Sequence, residues 1–263
     1  MMKGKQHAGI EGEEAFINGV RARINELLAA ELPDFSRIPE GGKMLRARLV
    51  YAVGGRNPDA AAAVELMHGG SLLHDDIIDN GILRRGRPAF WKTHGAKGAI
   101  LLGDMHFFLA LKLLNGRPQM QQDLIEMAGM VCKAAAEEEL CGASARYLEL
   151  ARQKTGPLFA FAASAGAPDT QSRAALREAG FLLGTAYQLA DDIYDATGEV
   201  QRADKSLRRD RMKSPASVQT IAALCKESAM RLQDWPDLQR AWEEYLERQF
   251  EPAIKVFTSG ASC

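Results

Sequence analysis

The segment Leu72-Leu73-His74-Asp75-Asp76-Ile77-Ile78-Asp79 has a counterpart in Tyr187-Gln188-Leu189-Ala190-Asp191-Asp192-Ile193-Tyr194-Asp195. In each, the first and last aspartates stand at i and i+4. On a helix they project from one face, about one turn apart. Like charges at that spacing destabilise an exposed helix by only about 0.2–0.5 kcal/mol per pair. Both segments are embedded in apolar sequence, however, and an uncompensated carboxylate in an interior is far more expensive. A solvated acidic face would explain one such segment. Two copies, each in an apolar stretch of a long helix, ask for a divalent cation, and all-oxygen ligation favours Mg²⁺ over zinc.

Working outward, the chain reads as helix nearly throughout. Long Ala/Leu/Glu/Arg-rich stretches repeat apolar residues at three- and four-residue spacing, and no stretch sustains the period-two alternation of a strand. Helices are expected over Glu13 to Leu32, Gly42 to Val53, and from the capping signal Asn57-Pro58-Asp59 to Asp79, where Asn80-Gly81 breaks the pattern. Gly86-Arg87-Pro88 marks a loop. Further helices fit His94 to Leu114, Met120 to Leu140, Ala143 to Lys154, Gly156 to Ala165, and Pro168-Asp169 to Thr197. The basic stretch Glu199 to Lys213 reads as a loop, and two closing helices cover Ser214 to Leu232 and Leu238 to Phe257. About ten helices with short connections and no flexible linker argue for an all-α bundle forming one domain over residues 1–263.

Bulk properties narrow the function. A formal net charge of -1 in 263 residues supplies no general attraction to nucleic acid or to anionic membranes. Cys132, Cys141, Cys225 and Cys263 form no C-x-x-C pair and no zinc-ligand spacing, so they read as reduced thiols. The first fourteen residues lack a signal-peptide apolar core, and Ile100 to Leu114 is interrupted by Asp104, His106 and Lys112. A cytoplasmic protein without stable membrane insertion is expected.

Mg²⁺ held by few carboxylates keeps positions for water and substrate phosphate, so a basic complement should accompany it. Arg84 and Arg85 follow the first acidic segment. Lys43 and Arg46 lie in G-G-K-M-L-R, Lys154 and Thr155 in K-T-G, and Lys205 and Lys213 follow the second acidic segment. Taken singly, each is a solvated surface charge. Distributed around both acidic segments, they imply two anionic sites, one reached through metal and one through direct Arg/Lys contacts.

These motifs resemble the trans-prenyltransferase (isoprenyl diphosphate synthase) family, in family order, from Gly41 to about Pro215. They are G-G-K-M-L-R at Gly41 to Arg46, E-L-M-H at Glu65 to His68, the run from Leu72 to Pro88, Gly103-Asp104, Lys154 to Gly156, and Tyr187 to Asp195. The resemblance implies a helical bundle around a central cavity, commonly a homodimer. It implies three Mg²⁺ ions with Asp75, Asp79 and Asp191 as principal ligands. Asp76, Asp192 and Asp195 would bind indirectly. It places an allylic prenyl diphosphate on Arg84, Lys154, Thr155, Gln188, Lys205 and Lys213, with Lys154 and Gln188 at the reacting end. Isopentenyl diphosphate would sit on Lys43, Arg46, His68 and Arg85. The implied reaction is head-to-tail condensation to a longer all-trans prenyl diphosphate.

The resemblance also assigns product length to the positions before Asp75. Here they are Gly70 and Ser71, with Met67 one turn below and Met105, Phe107 and Phe108 as a possible floor. Small residues there favour a product longer than C15, while close helix packing or a kink is the alternative. His74 is expected to be structural. The chain departs from the family pattern in carrying Ala-Ala-Glu-Glu-Glu around Glu137 to Glu139 instead of G-Q-x-x-D, in Ala47, in a short Lys205–Lys213 loop and in an abbreviated C-terminal region. A terpene cyclase on the same scaffold needs no isopentenyl site, so Lys43, Arg46, His68 and Arg85 argue against it. A non-catalytic subunit of a heteromeric synthase generally loses an aspartate motif, and both are intact.

Overall fold

A computed structural model describes residues 2–33, 42–141, 147–167, 169–197 and 218–250, with side chains for all of these except 2–10, 141, 147, 193–197 and 218. The fold is all-α. Among the described residues the helices are α1 (Met2–Glu31), α2 (Leu45–Ala52), α3 (Pro58–Ile78), α4 (Phe90–Leu113), α5 (Pro118–Cys141), α6 (Tyr147–Ser164), α7 (Thr170–Thr197), α8 (Val218–Met230) and α9 (Pro236–Tyr245), which runs into a π-helical turn, Leu246–Phe250. The expected loop Glu199 to Lys213 and the end of the last helix lie outside the described residues.

Capping chemistry sets the starts of the two helices that carry the aspartates. The Asn57 side chain accepts the Ala60 N–H at 3.2 Å, with Pro58 in the first helical turn. Asp169 Oδ1 accepts the N–H groups of Gln171 and Ser172, each at 2.8 Å. The end of α3 is equally local. Asn80 takes a left-handed φ of 52°, and the N–H groups of Asn80 and Gly81 return to the carbonyls of Ile77 and Asp76 at 3.1 and 2.8 Å. That pair of bonds is a Schellman stop, with asparagine in place of the usual glycine.

Helix α3 is central. Ala60 to Val64 are five consecutive residues with no exposure, so the helix is covered all round at that level. It packs chiefly on α4, while α6 packs on α7, and one apolar cluster joins residues from Ile17 to Phe250. No helix among the described residues is long and apolar enough to cross a membrane.

Three expectations are corrected. The two helices expected on either side of Thr155 are one, α6, with Pro157 inside it. Gly156-Pro157 ordinarily marks a break, but here tertiary packing decides. A Cβ on Gly184 would lie 2.6 Å from the Gly156 Cα, and one on Gly180 would lie 2.5 Å from the Ala160 Cα. The backbones of α6 and α7 approach closely through these small residues, and that contact holds the helix together. Ahead of the helix expected from His94, α4 has an additional short helical segment that starts at Phe90, and the helical path is broken between the two at Gly95 (φ 79°, ψ 158°). The expected loop at Gly86 is the tip of a two-stranded hairpin. In it β1 (Leu83–Arg84) pairs antiparallel with β2 (Arg87–Pro88), and Arg84 stands opposite Arg87. Arg85 and Gly86 both have positive φ, 54° and 74°, the type I′ geometry that suits the twist of a tight hairpin.

Candidate active site

The aspartates lie where a helix least favours them. Asp75, Asp76 and Asp79 close α3, and Asp191 and Asp192 lie in the last two turns of α7. At a helix C-terminus the peptide dipoles present negative charge, so carboxylates there are destabilising and cations are welcome. The two acidic ends converge. Burial works against the Arg84 guanidinium, but its hydrogen bonds to Asp76 and the fields of Asp76, Asp75 and Asp191 outweigh that and raise its pKa. One arginine on the hairpin thus senses both segments.

Arg84 grips Asp76 with a fork. Its Nε donates to the two carboxylate oxygens at 3.0 and 3.2 Å, and its Nη2 donates to Oδ1. Asp76 is buried. Its carboxylate is engaged by Arg84. The hairpin that carries Arg84 is pinned in turn, because the Trp91 indole donates to the Gly81 carbonyl at 2.7 Å. Neither the hairpin nor Trp91 was singled out by sequence reasoning, since a two-residue strand leaves no periodic signal.

A second set of cations gathers beside the first. Arg46 is buried, with its guanidinium 4.7 Å from the Phe159 ring centroid, and its Nε has no hydrogen-bond partner. Burial lowers the pKa of Arg46, opposed by the Glu65 carboxylate. His68 lies well below its ordinary value of 6.5, through burial and the charges of Arg46, Arg85 and Arg84. Arg85 is lowered by burial and by Arg84. These mutual effects bring Arg46, His68, Arg84 and Arg85 within one electropositive cluster, the candidate pocket for a second anion. Gly42 belongs to its wall, since a Cβ there would stand 2.9 Å from Arg85 Nη1 and the Gly42 carbonyl accepts from Arg21 at 2.6 Å. Lys43 is exposed next to it.

The expected allylic set is partly assembled. The Thr155 hydroxyl donates to Gln188, whose amide donates to Asp192 Oδ1 at 2.9 Å, so α6 and α7 share one chain of hydrogen bonds. Lys154 is paired with Glu138 of α5 at 3.0 Å. The departure from the family pattern at Glu137 to Glu139 thus supplies an ion-pair partner that sequence reasoning did not anticipate. The side chain of Asp195, and Lys205 and Lys213 altogether, lie outside the described residues. His74 packs edge-on to Phe107 and its Nε2 lies 3.1 Å from the Ile100 carbonyl, a contact to α4.

At the product-length positions, Gly70 does not open onto free space. A Cβ there would meet the Phe107 ring at 2.5 Å and the Gly103 carbonyl at 2.8 Å. Gly70 is therefore a close crossing of α3 and α4, the packing alternative. The Ser71 hydroxyl donates to its own helix, at the His68 carbonyl (2.8 Å), and Met67 is buried. Phe108 is 69% exposed, which removes it from any interior floor.

The donor set suits a hard divalent cation. Asp75 and Asp79 are one turn apart on α3, Asp191 faces them electrostatically through Arg84, and all offer oxygen only. Among the described residues no three His, Cys, Asp or Glu side chains form a ready cage. An ion here would complete its shell with water and phosphate oxygens, as Mg²⁺ ordinarily does.

The half-buried His68 imidazole carries a pH prediction. A folded-state pKa below the unfolded value means that the unfolded chain takes up a proton the folded chain refuses. The stability that neutral His68 contributes is therefore present above about pH 6.5 and is lost as pH falls toward the folded value. His106, lowered by burial against its bond to the Leu102 carbonyl, adds in the same sense. The urea midpoint should drop between about pH 7.5 and about pH 5.5, and less so in His68→Gln. Equal drops in the two proteins would remove His68 from the acid response.

The chain is similar to known proteins in sequence and in fold. The sequence model of the polyprenyl synthetase family matches residues 35–248. A short chain isoprenyl diphosphate synthase of Methanothermobacter thermautotrophicus is 34% identical, over 73% of this chain and 66% of that protein. A geranylgeranyl diphosphate synthase of Methanosarcina mazei is 31% identical, over 92% of this chain and 82% of that one. The chain spans just under two thirds of the first relative's length. Among solved structures, a polyprenyl synthase from Caulobacter crescentus complexed with calcium and isoprenyl diphosphate aligns with a TM-score of 0.69 at 27% identity, covering 96% of this chain and 88% of that one.

Proposed function

Because the chain belongs to the polyprenyl synthetase family, we propose that it condenses isopentenyl diphosphate with an allylic prenyl diphosphate, releasing diphosphate, as a cytoplasmic homodimer. The observation that carries this reading is the division of the site. Arg84 senses the acidic ends of both α3 and α7, while Arg46 and Arg85 join it around His68, where the charges acting on the imidazole are all cationic. A cyclase has one diphosphate to ionise and no use for the second pocket.

Asp75, Asp79 and Asp191 would hold the divalent cation. We assign it as Mg²⁺, three per site by family resemblance, in keeping with the calcium held by the Caulobacter relative. When bound, the metal neutralises charge on the departing diphosphate. The chain's own residues do the rest. Arg84, aimed by Asp76, and Lys154, drawn from its pairing with Glu138, bind the allylic diphosphate. Thr155 and Gln188 line the reacting end as neutral dipoles. Arg46, Arg85 and Lys43 bind the isopentenyl diphosphate, and His68, neutral at physiological pH, can give it a single N–H donor. Breaking the allylic C1–O bond leaves an allylic cation and diphosphate. The isopentenyl double bond attacks that carbon, and the proton lost from the isopentenyl unit goes to the released diphosphate. No protein nucleophile is needed.

For chain length we propose that Phe107, admitted by Gly70, forms the floor of the elongation pocket, with Met67 below it and the product longer than C15. The decisive experiment incubates protein of light-scattering-verified mass with Mg²⁺, isopentenyl diphosphate and each allylic primer, and sizes the products. Wild type should give condensation and Phe107→Ala a longer product. Hydrocarbon release without condensation would establish a cyclase, and an unchanged product from Phe107→Ala would move the floor elsewhere. Gly70→Phe is a poorer probe. Its ring has to displace Phe107 and the Gly103 carbonyl, an overpacking worth about 1–3 kcal/mol of lost stability.

A further inference from the structure

Helix α2 carries Arg46 in its first turn, and that turn is held from outside. Met44, the residue before it, is left-handed (φ 53°, ψ 41°), and no side chain at this position caps the helix. A left-handed non-glycine residue costs about 1–2 kcal/mol and persists only where its surroundings enforce it. Two distant residues hold the turn that follows it. Glu65 reaches across from α3, and its Oε1 accepts the Ala47 N–H at 3.0 Å, satisfying a first-turn donor that would otherwise lack a partner. From α9, the buried Tyr245 hydroxyl donates to the Leu45 carbonyl at 3.0 Å. Arg46 sits between these two bonds. It is 7% exposed, lies over Phe159, and its Nε is unpartnered. Glu65 stands one turn before His68 on α3, so the residue that caps α2 also shares a helix face with a member of the cationic pocket.

We propose that Glu65 and Tyr245 are positioning residues that clamp the first turn of α2, acting on isopentenyl diphosphate through Arg46. The proposal rests on the reading above that this pocket takes that substrate. A guanidinium fixed by stacking on one face and by its helix on the other cannot re-aim when the helix start loosens. Even a displacement of about 1 Å at a binding group is expensive. Releasing either clamp should therefore weaken the non-allylic substrate and spare the allylic one, whose ligands lie on α3, α6, α7 and the hairpin.

The test measures steady-state constants for both substrates, and calorimetric binding of isopentenyl diphosphate without allylic substrate, in Tyr245→Phe, Glu65→Leu and Glu65→Gln. Losing one such hydrogen bond should raise the isopentenyl KM and Kd about three- to ten-fold in Tyr245→Phe and Glu65→Leu. The allylic KM and kcat should stay within about two-fold of wild type, and Glu65→Gln, which keeps the acceptor, should recover the isopentenyl affinity. An unchanged isopentenyl Kd in both Tyr245→Phe and Glu65→Leu would overturn the clamp, as would an allylic KM rising in step or failure of Glu65→Gln to recover. If wild type binds isopentenyl diphosphate but condenses nothing, the assigned reaction falls and the Kd comparison still decides the clamp. A wild type that does not bind isopentenyl diphosphate overturns the clamp itself.

Discussion

Asp75→Ala and Asp191→Ala should each slow condensation by at least about a thousand-fold, roughly 4 kcal/mol of lost transition-state stabilisation, with the helical fold retained. The two halves of that result have separate causes. Ionising the allylic C–O bond places negative charge on the departing diphosphate, and the carboxylates at the ends of α3 and α7 would hold the counter-charge that accepts it. Losing one principal ligand leaves the diphosphate to water and to arginines alone. Stability should change little. Asp75 lies in the last turn of α3, against the dipole, and repels Asp79 one turn on. Alanine relieves that repulsion but also removes a carboxylate that stabilises the Arg84 charge, so the midpoint of thermal unfolding should stay close to wild type. Single-turnover assays over a range of metal concentrations, with circular dichroism alongside, check both halves. Turnover near wild type in either mutant would sink the mechanism. Collapse of the fold would show that these carboxylates are structural.

Asp76→Ala should behave differently from its neighbour. Asp76 is buried under a forked contact from Arg84, and its removal strands a guanidinium that is only about one third exposed. Breaking a buried pair from one side typically costs about 3–5 kcal/mol; with partial solvent access to Arg84, about 2–3 kcal/mol is the expected loss. Thermal unfolding should fall by several degrees, where Asp75→Ala leaves it in place. Activity should fall as well, because Arg84 loses the partner that aims it. The discriminating measurement is the metal concentration for half-maximal rate. It should shift in Asp75→Ala and stay put in Asp76→Ala. A metal shift in Asp76→Ala without lost stability would return Asp76 to the metal.

The contrast between these two adjacent aspartates marks where sequence reasoning stops. Asp75 and Asp79 share a face by the helix period alone, so their partnership is legible in the chain. The commitment of Asp76 to Arg84 needs the type I′ hairpin that swings the arginine back, and Arg85 is an unusual residue for that turn. Gly70 shows the same limit. A small residue in a helix predicts room for something, and only the position of α4 reveals that Phe107 takes it. Gly156-Pro157 reads locally as a stop, yet the approach of α6 to Gly180 and Gly184 carries the helix through. The pairing of Lys154 with Glu138 likewise depends on how α5 lies against α6.

From the sequence alone came the all-α architecture, the start and stop of α3, the two acidic segments and the identity of most cations around them. Those features are set by interactions within a few residues, such as capping, helical period and turn chemistry, and these survive without knowledge of the fold. Tertiary structure alone decided which charges meet. Ala47 finds Glu65 across 18 residues, and Leu45 finds Tyr245 across 200. No local rule encodes either contact, because each arises from helices docking along apolar faces that specify burial without naming a partner.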